Sequence, residues 1–117
     1  MSNNVRIFYN PKCSKCRLTK GILDDKGVDT TVVEYLKSPP DSAELSEILG
    51  LLGLEPRDLM RKNEAPYKEN NLADPNLSRE QLIQAMIDNP ILIERPIVIN
   101  GDKATIGRPP EKVLDIL

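Results

Sequence analysis

The sequence predicts an α/β fold built on a mixed four-stranded sheet with helices on both faces. Two runs of β-formers, Val5-Arg6-Ile7-Phe8-Tyr9 and Thr30-Thr31-Val32-Val33-Glu34-Tyr35, flank a helical stretch within the span of a β-α-β unit. Near the other end, Asn100-Gly101 joins Ile97-Val98-Ile99 to Lys103-Ala104-Thr105-Ile106, a hairpin signature. The chain between these pairs reads as helix and turn. At 117 residues, one domain spanning 1–117 is expected, with room for a core that needs no disulfide staples.

The first strand leads into the loop Asn10-Pro11-Lys12-Cys13-Ser14-Lys15-Cys16. A helix follows over 17–26, with Leu18, Ile22 and Leu23 on one face and Gly27 in the position of a C-terminal stop. The second strand should lie parallel to the first after a right-handed crossover. Ser38-Pro39-Pro40 is a turn, and Asp41 with Glu44 forms an N-cap pattern for a helix reaching Leu52, with Leu45, Ile48, Leu49 and Leu52 apolar and Gly53 stopping it. Residues 57–63 read as a short helix and 65–71 as another, broken by Pro66. Asp74-Pro75-Asn76 is a turn. Ser78 with Gln81 is a capping box for a helix to Asp88, with Leu82, Ala85 and Met86 inward and Asn89-Pro90 ending it. After the hairpin, Gly107-Arg108-Pro109-Pro110 turns into a last helix with Val113, Leu114 and Leu117 apolar. This order, with a helical insertion between strands 2 and 3 and a C-x-x-C after strand 1, is the thioredoxin-like layout. That layout calls for a cis proline heading the third strand, and Pro96 is the candidate.

Composition removes several functions. With 16 Lys+Arg against 18 Asp+Glu the net charge is −2, which argues against broad nucleic-acid or membrane affinity. No apolar run approaches membrane-spanning length, and Met1-Ser2-Asn3-Asn4 lacks a signal-peptide pattern, so a cytoplasmic location is expected. There a C-x-x-C is more often catalytic or redox-sensing than structural. The chain has two cysteines and no histidine, too few ligands for a zinc site, and no metal or bound cofactor is expected. The missing histidine also excludes a Cys-His pair, so a thiolate must be stabilised by a helix dipole, cations or hydrogen bonds.

Cys13 falls where those aids converge. At or just before a helix N-terminus, unpaired N–H groups and the positive dipole end favour thiolate over thiol, and Lys12, Lys15 and Arg17 add positive charge. The same N–H groups cradle a tetrahedral oxyanion. Asn10, Ser14 and Lys15 are secondary candidates in this loop. Two inert cysteines packed at a helix start are the competing reading. Three arginines occur where such a fold could bring them to Cys13: Arg95 before Pro96, Arg108 after the hairpin and Arg61 in the insertion. Singly, each reads as a surface arginine. Together with a thiolate they form a bidentate clamp for a tetrahedral dianion.

The motifs Tyr9-Asn10-Pro11-Lys12-Cys13-Ser14-Lys15, Leu59-Met60-Arg61-Lys62-Asn63, Asn89-Pro90-Ile91-Leu92-Ile93-Glu94-Arg95-Pro96-Ile97-Val98 and Gly107-Arg108-Pro109-Pro110-Glu111 occur in the order of one family. The whole chain resembles the glutaredoxin-coupled arsenate reductase (ArsC) family, in particular its ArsC-like branch. The resemblance implies that Cys13 is the nucleophile and that Arg61, Arg95 and Arg108 hold the arsenate oxygens. It also implies that glutathione acts as co-substrate and that glutaredoxin completes reduction to arsenite. In two places the chain departs from the pattern. Tyr9 stands where well-known members have a histidine thought to help ionise the cysteine, and Cys16 stands where many have serine. Cys16 opens an alternative, since Spx-type transcription regulators share the fold, use a C-x-x-C as a thiol-disulfide switch and bind RNA polymerase. A general thiol-disulfide oxidoreductase is a third reading. Arg61 and Arg108 favour the enzyme, because neither alternative needs the full arginine set. Cys16 itself reads either as a resolving thiol one helical turn from Cys13 or as a small residue that never reacts.

Overall fold

The computed structural model describes residues 5–117; Met1 to Asn4, where the leader pattern was sought, lie outside the described residues. By internal contacts the chain forms two compact units, 1–38 with 95–117, and 39–94.

The first unit holds the sheet. Strands β1 (Val5–Phe8), β2 (Thr30–Val33), β3 (Ile97–Asn100) and β4 (Lys103–Ile106) are ordered β2-β1-β3-β4. β1 is parallel to β2, from Val5 opposite Thr30 to Phe8 opposite Val33, and antiparallel to β3. The β-α-β reading and the hairpin are both present. The hairpin turn, however, is Gly101-Asp102 rather than Asn100-Gly101: Asn100 is the last residue of β3, paired with Lys103, and Gly101 takes the left-handed conformation at φ 62. The Arg95–Pro96 bond is cis, as the layout required, and Arg108–Pro109 is cis as well.

Helix α1 (Ser14–Asp25) starts three residues earlier than its apolar pattern implied, because Cys13 is already its N-cap and the Arg17 N–H donates to the Cys13 carbonyl at 3.1 Å. Its buried residues are Cys16, Thr19 and Leu23, an i, i+3, i+7 stripe. Leu18 lies well round the helix from that stripe and is 57% exposed, which corrects the expectation that it faces the core. Val5, Ile7, Leu23, Val98, Val113 and Ile116 form the core cluster, with Tyr9, Ile22 and Val28 packed against it. Phe8 and Tyr35, both fully buried, stack with ring centroids 6.4 Å apart. The C-terminal element Pro110–Ile116 is a 3-10 helix rather than an α-helix. Three residues per turn put Pro110, Val113 and Ile116 on its buried face, so Leu114 and Leu117 point outward, contrary to the α-helical reading.

The second unit is helical: α2 (Ser42–Leu52), α3 (Pro56–Leu59), α4 (Ala65–Glu69) and α5 (Arg79–Asp88), then a 3-10 turn over Pro90–Leu92. The Asp41 carboxylate accepts from the Glu44 N–H at 2.8 Å, Gly53 closes α2 in the left-handed conformation, and Ser78 and Gln81 form the expected capping box. α2 packs on α5, and their buried residues are Leu45, Ile48 and Leu49 on one and Leu82, Ile83 and Met86 on the other. Ile83 is buried where Ala85 was expected, and Ala85 is only half-buried. The helix read over 57–63 ends at Leu59, because Met60 is extended and bridges Ile93. Pro66 does not break α4. It sits in the first turn, where its missing N–H costs nothing. Arg57 ties the long loop to α3, donating through Nε to the Leu72 carbonyl at 3.0 Å and through Nη2 to that of Asp74.

Candidate active site

The cysteine loop is shaped by Asn10. Its carbonyl accepts from the Cys13 N–H at 2.9 Å and its Oδ1 from the Lys12 N–H at 3.0 Å, closing the chain into a tight turn at the end of β1. The Tyr9 N–H donates to Val33 at 2.8 Å, holding the start of the loop on β2. Arg17, read as a cation for the thiolate, instead spends Nη1 on the Pro11 carbonyl at 3.0 Å and staples the loop to α1. Asn10 and Arg17 are therefore loop organisers. Ser14, the first residue of α1, is exposed, and Lys15 contributes its main chain.

Cys13 is 7% exposed, at the N-cap of α1 with φ −95 and ψ 121. Burial alone would raise its pKa, but the opposing interactions win and hold it below the ordinary thiol value. These are the Cys16 N–H, the Cys16 thiol, the positive charge of Arg95 and the Lys15 N–H, in falling order. The two N–H groups are the N2 and N3 donors that a helix leaves unpaired at its start. Cys16 is wholly buried, and its thiol is pushed up to about 12, first by burial and then by the neighbouring Cys13. At neutral pH Cys13 is the group that ionises and Cys16 stays a thiol. Both cysteines are free.

Two of the three predicted arginines meet Cys13 within the sheet unit. Arg108 donates through Nη2 to the Cys13 sulfur at 3.8 Å, while its Nε donates to the Arg95 carbonyl at 2.7 Å. One guanidinium thus links the cis-proline loop to the sulfur of Cys13. Arg61 is in the helical unit. There it pairs with Glu64 at 3.1 Å, and its backbone N–H donates to Leu92 at 2.7 Å. The unpaired N–H groups expected at the helix start are those of Lys15 and Cys16; the residue not expected in the site is Thr19, which is fully buried on α1.

A low-pKa thiolate flanked by guanidinium and N–H donors is equipped to attack an oxyanion and stabilise the charge that develops. Known proteins carry the same arrangement of sequence. The ArsC family model matches residues 8–116. The chain is 54% identical to the uncharacterized protein YfgD of Escherichia coli K12, over 100% of this chain and 99% of that one. It is 46% identical to an arsenate reductase of Haemophilus influenzae, over 97% and 99% respectively. A solved arsenate reductase from Vibrio cholerae superposes over the full length of both chains with a TM-score of 0.96 and 47% identity.

Proposed function

Because the chain belongs to the ArsC family, we propose that it is an arsenate reductase in which the Cys13 thiolate attacks arsenate held by Arg95 and Arg108. The observation that carries the reading is the Arg108 Nη2 contact to the Cys13 sulfur, with Nε locked on the Arg95 carbonyl. A disulfide substrate has no use for a guanidinium beside the attacking sulfur, whereas a tetrahedral dianion is held by charge-assisted N–H donors. This counts against a general oxidoreductase and against a regulator that only switches its thiols.

In the proposed cycle the thiolate attacks arsenic and displaces a hydroxyl of arsenate, which takes a proton from solvent and leaves as water, and a sulfur–arsenic(V) adduct forms. Glutathione attacks next, and glutaredoxin completes reduction to arsenite. The net reaction balances as arsenate plus two glutathione giving arsenite, glutathione disulfide and water, so two thiols supply the two electrons. Arg95 and Arg108 neutralise the oxyanion as sulfur attacks, and the Lys15 and Cys16 N–H groups hold the thiolate ready. The Cys13 loop needs no histidine for this, since Tyr9 is engaged with the sheet and main-chain donors do the ionising. Arg61 enters on the strength of its motif, as a third oxyanion ligand. No helix among the described residues is long and apolar enough to cross a membrane.

The test is arsenate reduction measured with glutathione and glutaredoxin for the wild type, Cys13→Ser and Arg61→Ala. Turnover is expected in the wild type, none in Cys13→Ser and a raised arsenate KM in Arg61→Ala. A wild-type protein that reduces no arsenate but reduces small disulfides would overturn the reading.

A further inference from the structure

Gly107, just before Arg108, has no room for a side chain. A Cβ there would stand 2.5 Å from Oγ1 and 3.2 Å from Cγ2 of Thr19, and 2.9 Å from Cγ of Pro96. The other five glycines meet nothing within 4 Å of such an atom. Gly107 is also not in the left-handed region, so what the position requires is space, not backbone freedom.

The three parts that meet at this point each carry a piece of the site. Thr19 is a fully buried residue of α1, the helix capped by Cys13. Pro96 heads β3 directly after Arg95, and its carbonyl accepts from the Gly107 N–H at 2.9 Å. Gly107 delivers the chain to Arg108, which then reaches the Arg95 carbonyl and the Cys13 sulfur. The Thr19 hydroxyl has no hydrogen-bond partner among the described residues. Its role at the seam is therefore its volume: it is a spacer against which the loop rests.

We infer that Gly107 is a positioning residue, seated against Thr19 and Pro96 so that the Arg108 guanidinium is held in register with the Cys13 sulfur. The inference rests on the reading that Arg108 serves the thiolate and its oxyanion. Adding one methyl at Gly107 drives either the loop or Thr19 away by a few tenths of an ångström or more, and Arg108 moves with the loop. Displacements on the ångström scale cost catalytic sites up to about a hundredfold.

The experiment uses the full chain and two readouts: the pH midpoint of Cys13 alkylation by iodoacetamide, and arsenate KM and kcat in the coupled assay. Circular dichroism and thermal melting control for folding. Gly107→Ala is expected to raise the alkylation midpoint and to lower kcat/KM for arsenate about 10–100-fold. Combining it with Thr19→Ala, which removes both clashing Thr19 atoms and leaves only the Pro96 Cγ contact, should recover part of both losses. Combining it with Thr19→Val, which keeps both branches, should recover neither. If Gly107→Ala does not fold, Thr19→Ile enlarges the spacer from the helix side and should shift both readouts in the same direction. A folded Gly107→Ala with wild-type midpoint and kcat/KM overturns the inference, as does equal recovery by Thr19→Val. Should Arg108→Ala move both readouts while Gly107→Ala moves neither, the arginine reading survives and the positioning role falls. If Arg108→Ala moves neither, both fall.

Discussion

Cys13 and Cys16 are the same residue type, one helical turn apart, and the fold gives them opposite chemistry. Cys13 caps α1, and its sulfur collects the N–H groups of Lys15 and Cys16, the Cys16 thiol and the field of Arg95, which together outweigh the cost of burial. Cys16 lies inside the first turn, wholly buried, and the charge it would acquire faces the charge Cys13 already has. Its ordinary state is therefore a neutral S–H that donates to its neighbour. The difference shows that C-x-x-C spacing does not set reactivity. Position relative to the helix start does, because only the cap residue sees the unpaired N–H groups.

The largest effect that would break this comparison is loss of turnover. Cys13→Ser should abolish glutathione- and glutaredoxin-dependent arsenate reduction, while Cys16→Ser keeps a substantial share, since serine still donates a hydrogen bond and glutathione can resolve the adduct. Complete inactivation by both substitutions in folded protein would instead mean that an internal disulfide step is obligatory. Arg108→Ala should come next. Loss of a charge-assisted bidentate partner costs about 1.5–3 kcal/mol, roughly a ten- to hundredfold fall in kcat/KM for arsenate. Arg108→Lys should recover only part of it, because an ammonium cannot reproduce the fork that spans the Arg95 carbonyl and the sulfur. Full activity in Arg108→Ala would make the contact a structural one.

The reactive half of this pair was legible in the sequence, and so were two of its cations, Arg95 and Arg108, whereas Arg17, read as a cation for the thiolate, is spent on the Pro11 carbonyl. A strand, a turn and a helix around Cys13 dictate the cap position, Arg95 precedes β3, which runs beside β1, and Arg108 follows β4, the hairpin partner of β3. The fold class followed from the β-α-β unit and the hairpin, and the cis bond at Pro96 followed from the fold class. The faces of individual elements were harder to read. Leu18 looks like part of a core stripe with Ile22 and Leu23, but Cys16 and Thr19 occupy the fully buried positions, and neither residue type advertises burial as leucine does. The last element reads as α-helix until its period is known, and a change from 3.6 to 3.0 residues per turn exchanges Leu117 for Ile116 in the core. Gly107 was legible only as a turn residue, because the atoms that crowd it come from two distant stretches of chain.

A smaller effect sharpens the contrast at the level of ionisation. The pH midpoint for alkylation of Cys13 should lie below the ordinary thiol range of about 8.5. Cys16→Ala should raise it, because the S–H donor is lost, and Cys16→Ser should raise it less, because a hydroxyl replaces that donor. A midpoint unaffected by Cys16→Ala would leave the two sulfurs independent of each other.

The smallest effect is on stability, and its sign distinguishes the two cysteines. Cys16 has a folded-state pKa raised to about 12, so its contribution is fully present below the unfolded thiol pKa and is lost as pH rises toward the folded value. Above about pH 8.5 the unfolded chain ionises at Cys16 and the folded chain does not, which favours unfolding. Cys13 works the other way. Its folded pKa is lowered, so its contribution is present above the unfolded pKa and fades as pH falls through the folded one. In the wild type the two partly offset each other under alkaline conditions. Removing Cys13 exposes the Cys16 effect alone: between pH 8 and 9.5, Cys13→Ser should lose about 1 kcal/mol of unfolding free energy that Cys13→Ser with Cys16→Ala does not lose. Urea denaturation of the two variants at both pH values measures the difference. Parallel pH dependences would mean that Cys16 ionises as readily folded as unfolded, and the distinction between the cap position and the first turn would rest on Cys13 alone.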